Sequence, residues 1–293
     1  VPAAPVVRPP EIATIMFEAA DGFPLRGTLY SRPGASGPMV LISSATAVRR
    51  DFYGAFAQAL LDAGAAVVLT YDFRGVGGSA RPPAWQGRIN MKDWGHRDMA
   101  AAAELLMRLH PGRKLLGVGQ SIGGTMLGLC PQALRFERFA MVASANGYLR
   151  LTDEALRLYL AMNFIGAPLT RIVGEAPGWL GIGETLPGSV FRDWARWCRR
   201  PGFLFDDPAL ADIARFERIG IPILAVSTTD DPWSTERATR SLVGHFSGAS
   251  WSQLRFSPEN AGTDHIGHLG FFKERFAASL WPPVISWLLA DQP

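Results

Sequence analysis

Apolar and polar residues follow two rhythms along this chain. Short continuous apolar runs at 39–43, 66–71 and 115–119 read as strands buried on both faces. Longer stretches carry apolar residues at helical spacing: 52–63, closed by Gly64, and 93–110, closed by Pro111-Gly112. Residues 12–18 and 25–30 are predicted as two strands joined at the Asp21-Gly22 turn. Further strands are predicted at 139–144, 221–226 and 251–256, and a helix at 122–130. A closing helix is predicted over 271–289, with Phe272, Phe276 and Leu280 along one face. Strands separated by helical segments need crossover connections. The expected fold is therefore α/β, a mostly parallel central sheet flanked by helices, with an antiparallel hairpin at its start.

Residues 147–219 break this alternation. They hold no strong strand pattern but several amphipathic stretches rich in Leu, Met and Trp. The expectation is a core in two parts, 1–146 and 220–293, with 147–219 inserted as a helical cap over the sheet edge where open α/β sheets bind ligands. Trp179, Trp194, Trp197, Phe203 and Phe205 supply apolar area there, either for a ligand or for packing the cap onto the core. Trp179 and Trp194, with Trp233 outside the cap, are the candidate substrate contacts. The Pro/Ala-rich leader, residues 1–10, reads as an extended arm.

Composition narrows the function classes. With 293 residues, 48% hydrophobic and 19% charged, the chain has ample material for a folded core. The formal charge is +3, but lysine occurs only at Lys92, Lys114 and Lys273, and the arginines are scattered in ones and twos. Without a basic run or stripe, no nucleic-acid partner is expected. No apolar stretch reaches the roughly 18 residues of a membrane span. The chain starts at Val1 rather than Met, which leaves an upstream signal open, and nothing in the first thirty residues reads as a signal's apolar region. Cys130 and Cys198 have neither metal nor disulfide-framework spacing and suit a reducing cytoplasm, the location expected.

The chemistry centres on Gly119-Gln120-Ser121-Ile122-Gly123, a G-x-S-x-G. Alone the pattern is common. Here it falls where an apolar strand turns into a helix, the context that holds a serine hydroxyl clear of the backbone in a tight turn. A serine hydroxyl needs a base to become a nucleophile. Of five histidines, His110 and His245 read as surface residues, and His96 lies upstream of the motif. His265 and His268 share the loop after the last strand; His268, flanked by glycine and preceding the closing helix, is the preferred base. The pair His265/His268 lacks a third ligand at helical spacing, so no metal is expected. An acid must fix the imidazole's tautomer. Asp230 and Asp231 follow the strand at 221–226; Asp231, whose backbone is restricted by Pro232, is preferred, and the other carboxylate is left to a turn or a helix cap. Backbone donors for an oxyanion are expected from Ile122, after the serine, and from Thr46, in the loop after the strand at 39–43.

These residues resemble the α/β-hydrolase superfamily over nearly the whole chain. Ser121, Asp231 and His268 occur in that family's order of nucleophile, acid and base. Asp72-Phe73-Arg74-Gly75-Val76-Gly77-Gly78-Ser79 is similar to its D-x-R-G-x-G-x-S segment, with Asp72 and Arg74 read as scaffold. The surroundings of Phe52-Tyr53, Trp94-Gly95-His96-Arg97-Asp98 and Gly267–Phe272 look like a bacterial subgroup related to serine-aminopeptidase-like and monoglyceride-lipase-like proteins. One departure is Ser44-Ala45, where many members carry His-Gly before the oxyanion loop.

The expected activity is hydrolysis of a small-molecule carboxylic ester with a hydrophobic part, through an acyl-enzyme on Ser121 and without a cofactor. Thioester hydrolysis, short-peptide cleavage and acyl transfer use the same residues, and a non-catalytic binding protein can share the fold.

Overall fold

The computed structural model describes residues 9–290. Of the leader, residues 1–8 lie outside the described part. The chain enters with an antiparallel hairpin, β1 (Glu11–Glu18) and β2 (Pro24–Ser31), turned at Gly22 as the Asp-Gly pair predicts. Then come β3 (Met39–Ser43), β4 (Val67–Tyr71), β5 (Leu115–Gln120), β6 (Phe136–Val142), the two-residue strands β7 (Glu175–Ala176) and β8 (Leu186–Pro187), β9 (Ile223–Thr228) and β10 (Trp251–Phe256). Eight of them form one sheet in the order β1-β2-β4-β3-β5-β6-β9-β10; β7 and β8 pair apart as a small ribbon. From β4 to β10 every neighbouring pair is parallel.

The central strands β3, β4 and β5 are buried at every position, which is why they read as unbroken apolar runs. Their side chains alternate between two cores. Met39 and Leu41 of β3 belong to the layer containing Met99, Leu106 and Leu127. Val40 and Ile42 belong to the opposite layer, with Phe56, Leu60, Trp281 and Leu288. Helices thus cover both faces: α1 (Gly54–Asp62) and the last helix on one, α2 (Ala100–Leu109) on the other.

Several boundaries depart from the hydropathy pattern, each for a local reason. Strand β6 begins at Phe136 and ends at Val142, because Ala143 takes a positive φ of 51° that leaves the strand. Strand β9 starts after Pro222, which has no N–H to give to a ladder, and runs on through Ser227 and Thr228. The helix predicted over 122–130 is a short α3 (Ile122–Thr125) followed by a 3-10 turn, Met126–Leu129.

The closing helix needs correction. Residues 270–276 form two 3-10 turns, and helix begins only at Trp281. Phe272, Phe276 and Leu280 have helical spacing, but they join the core around Phe56 rather than line one helix face. Pro282 and Pro283 explain the late start, since missing N–H groups are harmless only in a first turn.

Between β6 and β9 lie α4 (Ala155–Leu160), α5 (Ala167–Val173), joined to it by a π-helical turn, α6 (Gly188–Cys198) and α7 (Arg215–Arg218). This insertion is helical as expected, apart from the β7–β8 ribbon. After β9 come α8 (Glu236–Val243) and, at the end, α9 (Trp281–Leu289).

Candidate active site

Ser121 sits between β5 and α3 with φ 53° and ψ −119°, a backbone conformation that costs a non-glycine residue of order 1–3 kcal/mol. The turn is held by close packing. A Cβ at Gly119 would lie 2.4 Å from the Gly124 nitrogen, and one at Gly123 would lie 2.3 Å from the Ser43 carbonyl oxygen. Only glycine at both flanks lets strand and helix approach this closely. The Ser121 N–H is anchored on the Val142 carbonyl at 2.8 Å.

His268 reaches the serine from the loop after β10. Its Nε2 lies 3.0 Å from Ser121 Oγ, and its Nδ1 lies 2.8 Å from Asp231 Oδ2. Asp231 stands in the turn after β9 and is 2% exposed. Its Oδ1 accepts the N–H groups of Trp233 (2.8 Å) and Ser234 (3.1 Å), and its Oδ2 also accepts the Ser234 hydroxyl. Burial by itself would raise this carboxyl's pKa. The charge and hydrogen bond of His268, with the bonds from Ser234, outweigh burial and hold it below the ordinary carboxylate range. A hydroxyl, an imidazole and an ionised carboxylate bonded in this order can move the hydroxyl's proton onto the ring while the carboxylate steadies the cation.

Asp230 is occupied elsewhere. Its Oδ2 accepts the N–H groups of Ile266 (2.8 Å) and Gly267 (3.0 Å) and lies 2.9 Å from His265 Nδ1, on an imidazole that is largely exposed. Neither aspartate caps the following helix; the Thr235 hydroxyl does, accepting the Ala238 N–H. Two of the other histidines have neighbours of their own. His96 lies 3.4 Å from Asp212, and His245 stacks on Phe205 at 3.4 Å.

A cavity of about 230 Å³ opens over Ser121 and His268. Ile182, Trp194, Phe203, Trp233 and Leu269 form its apolar walls, and among the described residues His268 is its only ionisable lining residue. Trp194 and Trp233 stack with centroids 5.5 Å apart. Trp179 corrects the sequence reading: it is 74% exposed and does not line the cavity, whereas Gly181 and Ile182 of the same loop do. Its side chain follows a 3-10 turn outward, and hydropathy cannot tell an outward from an inward aromatic in a loop.

Ala45 and Thr46 also line the cavity. The Ala45 N–H is bound by the Tyr53 hydroxyl at 2.8 Å. Among the described residues no hydrogen bond uses the N–H of Thr46 or of Ile122, the first residue of its helix. Sequence reasoning missed Ser234, although Asp-Pro-x-Ser before a helix is a visible turn signal. It also missed Gly181 and Ile182, which no motif marks. The scaffold reading of the 72–79 loop agrees with the contacts: Asp72 accepts from the N–H groups of Arg50 and Gly78, and Arg74 pairs with Asp98 and Asp21. Among the described residues no group of three or more His, Cys, Asp or Glu side chains is placed to hold a metal ion. Nor is any helix among them long and apolar enough to cross a membrane.

The backbone of this chain is similar to that of a hydrolase from Pseudomonas aeruginosa PA01, with a TM-score of 0.59 and 22% identity over 94% of this chain and 98% of that one. It is similar to the enol-lactonase from Burkholderia xenovorans LB400, with a TM-score of 0.60 and 18% identity over 94% and 100%. It is also similar to a Pyrococcus furiosus esterase, with a TM-score of 0.60 and 14% identity over 96% and 92%. At these identities the likeness speaks for the fold alone. No curated protein matches the chain by sequence. The sequence model described as "Alpha/beta hydrolase family" matches residues 39–278, from the start of β3 through the His268 loop. That span carries the parallel part of the sheet as well as Ser121, Asp231 and His268, and so the chain belongs to the alpha/beta hydrolase family.

Proposed function

We propose that this protein is a serine hydrolase that cleaves a neutral carboxylic ester with an apolar part through an acyl-enzyme on Ser121. One observation carries the reading: His268 bridges Ser121 at 3.0 Å and Asp231 at 2.8 Å on the floor of an apolar cavity. In this course Ser121 Oγ attacks the ester carbonyl carbon as its proton passes to His268 Nε2. The N–H groups of Ile122 and Thr46 receive the developing oxyanion. When the tetrahedral intermediate collapses, the carbon–alkoxide bond breaks and His268 returns the proton to the leaving alcohol. Water then attacks the acyl-enzyme, giving its proton to His268, and the acid departs with Ser121 restored. Each step uses this chain's residues and water.

The segment 147–219 serves as the cap in this reading, since it contributes Ile182, Trp194 and Phe203 to the cavity walls. A peptide's free amino terminus would call for a carboxylate in the cavity, and among the described residues none lines it, which favours a neutral ester over a short peptide.

The test is mass spectrometry after exposure to a fluorophosphonate probe, on the wild type and on Ser121→Ala and His268→Ala. A single adduct on the Ser121 peptide, lost in both variants, is the expected result. Turnover of esters of graded chain length should follow the same pattern. Folded wild-type protein that neither takes the probe nor cleaves any ester would mean a binding protein on this fold.

A further inference from the structure

Three separate segments meet beneath Ser121: the loop after β3, the end of β5 and the loop that carries His268. Two side chains with no part in the proton path connect them. The Tyr53 hydroxyl accepts the Ala45 N–H at 2.8 Å and lies 2.7 Å from Gln120 Oε1. Gln120 Nε2 lies 3.1 Å from the backbone carbonyl oxygen of His268. Both side chains are fully buried.

The proton directions in this chain follow from its ends. An N–H can only donate and a carbonyl oxygen can only accept, so the order runs Ala45 N–H, Tyr53 O–H, Gln120 amide, His268 carbonyl. Reversing the Gln120 amide would set its oxygen against the His268 carbonyl oxygen, two acceptors with no proton between them. Burial pushes the Tyr53 phenol well above its ordinary range, so the hydroxyl keeps the proton it donates. A buried network of hydrogen bonds of this kind resists rearrangement.

The network also divides two neighbouring amides. Ala45 and Thr46 both line the cavity, but the Ala45 N–H is spent on Tyr53, while no bond among the described residues uses the Thr46 N–H. We infer that Tyr53 and Gln120 are positioning residues that set Thr46, and not Ala45, as the oxyanion donor of the loop and hold the His268 backbone in register with Ser121. The inference rests on the hydrolase reading above. It assigns to the residue before the nucleophile a role beyond packing, and to Tyr53, 67 positions away from Gln120, a part in transition-state stabilisation.

Tyr53→Phe keeps the ring and its edge contact with Phe272 (4.9 Å) but removes the oxygen from the network. In folded protein, kcat for an ester should fall roughly 10- to 100-fold with KM changed less than about threefold, because only the transition state uses the displaced donor. Affinity for a boronic acid that forms a tetrahedral adduct on Ser121 should fall in parallel. Gln120→Met, of similar volume, should act in the same direction. The double variant should be little worse than the more damaged single one, as expected for two members of one unit.

Hydrogen exchange supplies a readout that does not need turnover. In Tyr53→Phe the amides of residues 44–48 and 266–272 should exchange faster, and those of β10 should not. Unchanged kcat and unchanged exchange in folded variants would overturn the proposal. So would a rise in KM alone, or a uniform rise in exchange, either of which marks a packing role. If the wild type neither labels nor turns over, the hydrolase reading fails, and the exchange pattern still decides whether Tyr53 couples the two loops.

Discussion

Asp230 and Asp231 are consecutive, yet their carboxylates hold different parts of one loop. Asp231 Oδ2 meets the His268 ring at 2.8 Å, and Asp230 Oδ2 takes the backbone N–H groups of Ile266 and Gly267, two residues and one residue before that histidine. One aspartate orients the imidazole, and the other fixes the chain from which the imidazole projects.

The two roles predict different losses. Asp231→Asn keeps the shape but offers the ring a donor in place of an acceptor, favouring the wrong tautomer; kcat should fall about 10³- to 10⁴-fold. Asp230→Asn weakens two backbone hydrogen bonds, and should lower stability by about 1–3 kcal/mol with a much smaller loss of kcat. Ester kinetics and thermal melts on both variants check this. A larger kcat loss in Asp230→Asn would reverse the assignment.

Acid should destabilise the fold through the same two groups. In each, burial opposes ionisation, and hydrogen bonds prevail: those of Ile266 and Gly267 on Asp230, and the charge and bond of His268 with the Ser234 bonds on Asp231. Both folded pKa values lie below the ordinary carboxylate value. The stabilisation is therefore fully present above about pH 4 and lost as pH falls through the depressed folded values. Urea melts at stepped pH should show the stability gap between wild type and Asp231→Asn narrowing below about pH 4. A gap that widens on acidification would contradict the sign.

Gly183 ties the segment 147–219 to the loop after β3. Its φ is +106°, a Cβ there would lie 2.4 Å from the Ala47 carbonyl oxygen, and the next residue, Glu184, donates its N–H to that same oxygen at 2.8 Å. Gly183→Ala should push the two loops apart, costing about 1–3 kcal/mol of stability. Displacement next to Thr46 should also lower kcat/KM by roughly tenfold or more. Calorimetry and ester kinetics on the one variant test both effects.

The stacked tryptophans should set the size of the acyl or alcohol group. Trp233→Ala removes one wall, and should raise KM for short esters by about tenfold while improving the relative turnover of longer ones. Trp179→Ala should leave both unchanged, because that indole lies outside the cavity. A chain-length profile of the two variants beside the wild type distinguishes them.

Much of the fold is legible in the order of residues because burial on both faces of a strand demands unbroken apolar runs. Strands β3 and β10 lie at the predicted limits, and the Asp21-Gly22 turn joins the hairpin. Ser121 and His268 stand out for a related reason. Their glycine neighbours mark backbone that must pack closely or bend sharply, and such a demand leaves its trace in residue type.

Tertiary contacts alone decided the rest. Phe272, Phe276 and Leu280 satisfy helical periodicity, yet the core around Phe56 takes the first two from separate tight turns, and helix begins only at Trp281, with Pro282 and Pro283 in its first turn. Which of two adjacent carboxylates faces the imidazole, and which tryptophan turns inward, depends on the path of a loop. There a shift of one residue reverses a side chain's direction and no period constrains it. The Tyr53–Gln120 connection lies deeper still, since its members are unremarkable in sequence and acquire a role only when three distant segments are folded against one another.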